Sequence, residues 1–195
     1  MAFSFREVVE LLSAWLLLSA AFTFLYSDLS LGSLVFVYPL VFFSVGLGFV
    51  LHELGHKLVA QRYGLPAVFR INLGGLGAAI VMSFAGFVLV APGAVEIRGR
   101  LTRSQNGWIS LTGPLMNLLL AIAFLGIYLN PFTQTRILTV LSLLGFKINT
   151  WIGLFNLIPA QGFDGQHIKE WNKKTYILLA ILMAGLYILS ITQIQ

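Results

Sequence analysis

The chain of 195 residues contains no cysteine. Disulfide frameworks and thiolate metal sites are therefore excluded, and cysteine usage says nothing about redox compartment. Charge is scarce as well: Asp, Glu, Lys and Arg make up 10% of the residues, against about 25% in ordinary soluble domains. Histidine occurs three times and acidic residues seven times, so a site built from ionisable side chains has few possible members. No low-complexity tract, internal repeat or separate soluble domain is visible.

What abounds is apolar residue, 58% of the chain, with a mean hydropathy of +0.89. A membrane-crossing helix needs about 20 mostly apolar residues, and five segments meet that need: Val8–Tyr26, Leu34–Gln61, Trp108–Leu129, Ile137–Ile158 and Tyr176–Ile194. The first is too long for a cleaved signal peptide and lacks an A-x-A-like site behind a basic stretch. A sixth charge-free run, Ile71–Val95, holds five glycines, three of them in "LGGLG", and Pro92 near its end. Those residues suggest turns, while Ile80, Val81, Phe87, Val88 and Val90 suit extended chain as well as helix. The expected fold is an all-α polytopic membrane protein of about five transmembrane helices. A re-entrant or β-hairpin-like segment is expected near residues 71–97. Residues 1–195 form one integral-membrane domain, with a core over 34–170 and flanking spans at 8–26 and 176–194.

The stretch "FVLHELGHKLVA" ends a run, Leu34–Leu51, that has no charged side chain. Burying ionisable groups there costs about 2–3 kcal/mol each or more, so His52, Glu53 and His56 need a chemical reason. Four residues apart on a helix, His52 and His56 share one face and lie about 6 Å apart along its axis. Glu53 is offset by about 100°. This is H-E-x-x-H, in which two imidazoles hold Zn2+ and the glutamate is the general base toward water. The bland alternative has both histidines bonding neighbouring helices while Glu53 pairs with Lys57.

A hydrolytic zinc site takes three protein ligands and one open position. The remaining donors are Glu7, Glu10, Asp28, Glu96, Asp164, Glu170 and His167. Asp164 stands out in "NLIPAQGFDGQH", where Pro159 ends the preceding helix and Gly162 and Gly165 allow the backbone to bend. His167 is the other candidate, and an ordinary turn at Asp164 is the bland reading.

At "HELGH" (52–56), "NLIPAQGFDG" (156–165) and "GPLMN" (113–117) the chain resembles the site-2 protease family of intramembrane zinc metalloproteases. The second stretch matches that family's N-x-x-P-x-x-x-x-D-G pattern at Asn156, Pro159, Asp164 and Gly165. The resemblance covers roughly Leu34–Glu170. It implies one Zn2+ per chain held by His52, His56 and Asp164, Glu53 as catalytic general base, and Asn156 in substrate binding. No PDZ-like or CBS-like domain accompanies the motifs, unlike in larger members.

Topology gives a separate argument. His52 and Asp164 both lie at the C-terminal ends of their spans, so those two helices must run parallel, which requires one crossing between them. Trp108–Leu129 supplies it. The Ile71–Val95 run must then enter and return, buried against protein, where irregular backbone is tolerated. Ten of the twelve basic residues then fall on one side, namely Arg6, Lys57, Arg62, Arg70, Arg98, Arg100, Arg103, Lys169, Lys173 and Lys174. The positive-inside rule makes that side cytoplasmic. Arg136 lies opposite, and Lys147 falls inside a span, where it lines a polar cavity or snorkels.

The expected function is hydrolysis of a peptide bond in or near a transmembrane segment of a membrane-protein substrate, by a multi-pass protein of the cell membrane whose active-site end faces the cytoplasm. The bilayer and the substrate are the expected partners. The net charge of +5 is an orientation signal and calls for no nucleic acid. A strand within "FVLVAPGAVEI" would capture unwound substrate by strand addition. The alternative function is a zinc-binding structural or transport protein without proteolysis.

Overall fold

The computed structural model describes residues 3–192 apart from 90, 91 and 134. Among them, five helices are long and apolar enough to cross a membrane: α1 (Phe5–Tyr26), α2 (Leu31–Arg62), α4 (Arg103–Leu129), α5 (Arg136–Asn156) and α7 (Lys173–Thr192). Most start earlier than the apolar runs do, because a polar residue ends a hydrophobic stretch without ending a helix. The starts are set by side-chain caps instead. Ser4, Ser30 and Thr135 each accept a first-turn amide, and Thr102 forms a reciprocal capping box with Gln105. Residues 193 and 194, the expected end of the last span, lie outside the described residues.

The ambiguous run does not cross. Strands β1 (Ala67–Ile71) and β2 (Gly93–Ile97) are antiparallel neighbours, pairing Ala67 with Ile97 and Ile71 with Gly93, so the chain that leaves the sheet at Ile71 comes back beside it. On the way in it forms α3 (Leu73–Ser83), capped by Asn72 and packed along α1. Phe84, just past its end, stacks on Phe24 of α1 at 5.2 Å. Extended chain is therefore confined to the base of the segment. Of the stretch expected as strand, Gly93–Ile97 is strand, Phe87–Leu89 form no regular element, and residues 90 and 91 lie outside the described residues.

α2, α4 and α5 pack against one another, with α1 and α3 on one flank and the short helix α6 (Asp164–Trp171) and α7 on the other. One core, including Phe22, Val45, Phe49, Ile148 and Ile152, joins α1, α2 and α5; a second, including Leu118, Ile168 and Met183, joins α4, α6 and α7. The sheet is seated by Phe69, which meets Phe49 edge to face at 5.7 Å. Among the described residues, buried charge away from the H-E-x-x-H residues is the pair of Lys57 with Glu7 of α1 at 2.5 Å, both side chains 1% exposed. Glu53 is thus not the partner of Lys57.

Candidate active site

His52 and His56 face inward from the last turns of α2, and Asp164 opens α6. α2 and α5 run in the same direction with α4 reversed between them, so their C-terminal ends meet. The link from α5 then folds back on itself. Gly162 has φ +91°, and a Cβ on Gly165 would strike the Leu157 carbonyl, so both glycines are required for the bend. It carries Asp164 Oδ2 to 3.2 Å from His52 Nε2 and 3.3 Å from His56 Nε2. One ligand atom from each residue lies within 4.8 Å of the others.

The protons on the two imidazoles can be assigned from their far sides. His56 Nδ1 is 2.8 Å from the Ile109 carbonyl oxygen, which only accepts, so Nδ1 carries the hydrogen. Asn117 Nδ2 donates to the Gly48 carbonyl at 3.2 Å, which turns Asn117 Oδ1 toward His52 Nδ1 at 2.7 Å and makes that nitrogen a donor too. In the neutral rings that ligate a metal, both Nε2 atoms then present lone pairs to Asp164 Oδ2. That buried oxygen has no hydrogen-bond partner despite its two close neighbours. With neutral rings three acceptors converge on one point, the arrangement that a cation completes. The donor set of two imidazoles, one carboxylate and a free position fits Zn2+.

Asn117 belongs to a longer chain of amides, since its Nδ2 also donates to Asn149 Oδ1 at 3.1 Å and Asn149 Nδ2 donates to the Gly145 carbonyl at 2.8 Å. Both asparagines are fully buried. Close packing makes room for this. A Cβ at Gly113 would stand 2.5 Å from Nε2 of both His52 and His56, and one at Gly48 would stand 2.6 Å from Asn149 Oδ1. The sequence marked Gly113 and Asn117 only as the ends of "GPLMN", with no role, and did not mark Asn149, for which the signal available was an amide side chain within an apolar span, which needs a partner there.

Glu53, 7% exposed, lies beside the histidines with its Oε2 unpartnered. A cavity of about 210 Å³ opens onto it, lined also by His52, His56, Val95, Asn156 and Asp164. Asn156 faces this space but spends its Nδ2 on the Ile152 carbonyl at 2.9 Å. His167 also lines it, with a buried and unpartnered Nδ1, yet stands outside the group of converging ligand atoms. His167 and Gly162 border a wider cleft of about 860 Å³ as well. Lys147 is elsewhere, in a separate cavity with Tyr26, Trp151, Tyr187 and Ser190.

The bonding pattern of β2 completes the site. Arg98 donates to the Pro66 carbonyl and Asn72 to the Pro92 carbonyl, so the alternate residues Gly93, Val95 and Ile97 turn their backbone groups away from β1. All three line the cavity, and the Val95 amide lies against the Glu53 carboxylate.

The family model described as Peptidase family M50 matches residues 40–135. Over 185 residues, 94% of this chain and 93% of the relative, the sequence is 36% identical to the Methanocaldococcus jannaschii protein named "Putative zinc metalloprotease MJ0611". It is 28% identical to "Zinc metalloprotease MJ0392" of the same organism over 68% of this chain and 32% of that protein. It is 30% identical to "Putative zinc metalloprotease Rip2" of Mycolicibacterium smegmatis over 68% and 57%. No solved structure matches the chain. With five apolar helices and a converging His, His, Asp triad, these relatives make it a multi-pass membrane zinc metalloprotease whose cofactor is Zn2+. Its identity across nearly the whole of both chains places it in peptidase family M50, the site-2 proteases.

Proposed function

We propose that this chain is an intramembrane endopeptidase that cleaves a peptide bond in or near a transmembrane segment of another membrane protein, with its active-site end toward the cytoplasm. The observation that carries the reading is the convergence of His52 Nε2, His56 Nε2 and Asp164 Oδ2 beside an unpartnered Glu53 Oε2, in a cavity among the ends of membrane helices. His52, His56 and Asp164 would hold the metal, and bound Zn2+ would supply a Lewis acid toward water and the peptide carbonyl.

The chain's own groups do the rest. Glu53 takes a proton from water as the water oxygen attacks the carbonyl carbon, and gives it to the departing amine as the C–N bond breaks. Asn117 and the Ile109 carbonyl hold the two rings with Nε2 free. A helical substrate hides its carbonyls in i to i+4 bonds, so it must unwind first. The free edge of β2, at Gly93, Ile97 and the Val95 carbonyl, offers the unwound segment backbone partners beside Glu53 by strand addition. Asn156 faces the same cavity and takes part in substrate binding. The wide cleft beside Lys169 and Lys173 shares His167 and Gly162 with this cavity.

A structural or transport role for the metal needs a closed ligand set or polar groups along a route. Here the polar groups gather at one level, next to an unpartnered carboxylate, in a family of proteases. The deciding experiment incubates the purified protein with a transmembrane substrate, with and without a zinc chelator. Cleavage that stops with chelator and resumes with added Zn2+ is expected. A folded, zinc-loaded protein that cleaves no membrane substrate, while hydrolysing a soluble unfolded peptide, would remove the intramembrane reading.

A further inference from the structure

A two-stranded ribbon is marginal on its own, and this one must keep its metal-facing edge unoccupied if that edge is to take substrate. Beyond the packing of Phe69 on Phe49, the other edge is then the one that can anchor it through backbone bonds. Because β1 and β2 exchange bonds through the even-numbered residues of β1, Phe69 and Ile71 direct their amides away from β2. Two carboxylates from α1 meet them: Phe69 N–H donates to Glu7 Oε1 at 2.9 Å, and Ile71 N–H donates to Glu10 Oε2 at 3.2 Å. Glu7 and Glu10 are three apart and so lie on one helix face, while residues two apart along a strand present their amides on the same edge.

Each carboxylate is itself held by cations. Arg6 and Arg70 donate to Glu10 at 2.7 and 3.2 Å. Lys57 donates to Glu7 at 2.5 Å, and its ammonium sits 4.0 Å from the centre of the Phe3 ring. Lys57 directly follows His56 on α2. One buried node therefore ties α1, β1 and the metal-bearing helix together, at a cost in buried charge that the hydrolytic chemistry does not use.

We propose that Glu7 and Glu10 are positioning residues for substrate capture: by occupying the outer edge of β1 they fix the sheet against α2 and leave the edge of β2 beside Glu53 as the open pairing edge among the described residues. The inference rests on the strand-addition reading above. It makes the two carboxylates act through the sheet, on substrate affinity, and leaves bond breaking to Glu53.

The test uses the full chain and separates hydrogen-bond acceptance from charge. Glu7→Leu with Lys57→Met removes the acceptor and both charges; Glu7→Gln with Lys57→Met removes the charges but keeps an oxygen for Phe69 N–H. Zinc content, kcat and KM on a transmembrane peptide, and hydrogen exchange at the Phe69 and Ile71 amides are the readouts. In the Leu variant, zinc and kcat are expected to stay within about twofold of the parent. KM should rise about tenfold, the loss of roughly one backbone bond to a charged acceptor, with faster exchange at Phe69. The Gln variant should recover most of the KM and the protection. An unchanged KM in a folded Leu variant, or equal impairment of the Gln and Leu variants, would overturn the proposal. If the Leu variant does not fold, Glu10→Leu against Glu10→Gln makes the same comparison at Ile71. A parent protein that cleaves nothing would defeat the protease reading, whereas rapid exchange at both amides in the parent would defeat the clamp itself.

Discussion

Asn117 Oδ1 stands 2.7 Å from His52 Nδ1, and this contact decides which nitrogen of the ring is free for a metal. Because Asn117 Nδ2 is committed to the Gly48 carbonyl and Asn149, the amide cannot turn over without breaking two bonds. Asn117→Leu should therefore weaken zinc binding by about 10- to 100-fold, the usual effect of losing an orienting partner, while the fold survives. Titration of the purified variant against a competing chelator measures this. Parent-like affinity would mean that packing alone orients His52.

Gly113 offers a steric test of the same centre. A methyl group at this position would meet both Nε2 atoms at 2.5 Å, well inside van der Waals contact, and the rings are held from behind by Asn117 and the Ile109 carbonyl. Gly113→Ala should abolish stoichiometric zinc and activity together. Metal analysis showing one zinc per Gly113→Ala chain would place the ion away from α4.

The ligand assignment makes a graded prediction. His52→Ala, His56→Ala and Asp164→Ala should each leave two protein ligands and lose most bound zinc, while His167→Ala should retain it. The reverse result for Asp164 and His167 would exchange their roles.

Glu53→Gln separates binding from chemistry. The amide is nearly the size of the carboxylate and is not proposed as a ligand, so zinc should remain; hydrolysis should fall by roughly 10²- to 10⁴-fold, the range that general-base catalysis contributes. Loss of zinc instead would mean that the carboxylate supports the metal directly, and an undiminished rate would end its role as base.

Orientation is accessible because the chain has no cysteine. Single cysteines at Arg70 in β1 and at Arg98 just past the end of β2 should both react with an impermeant thiol reagent from the cytoplasmic side, and one at Arg136 from the opposite side. Labelling of Arg70 and Arg98 from outside would invert the proposed orientation.

The membrane class, the spans and the identity of the H-E-x-x-H donors were legible in the sequence, because each depends on local facts: the length of an apolar run, the 3.6-residue period that puts His52 and His56 on one face, and the cost of charge in hydrocarbon. Even the return of the 71–97 segment followed from counting crossings. Its internal form did not. Helix α3 within it is a tertiary outcome, since its apolar, glycine-containing sequence suits either state and packing along α1 decides between them.

Distance along the chain explains what only the tertiary structure decided. Asn117 lies 65 residues from His52, Ile109 lies 53 from His56, and Glu7 lies 62 from Phe69. None of these pairs has a periodicity that would announce it, and a glutamate near the first helix end reads as an ordinary interfacial charge. The sequence by itself determined that donors for zinc exist and on which helix face they stand. The folded chain decided which lone pairs they present, which backbone edge is left open beside Glu53, and which is closed by α1, because those depend on hydrogen bonds between elements that meet only after the helices pack.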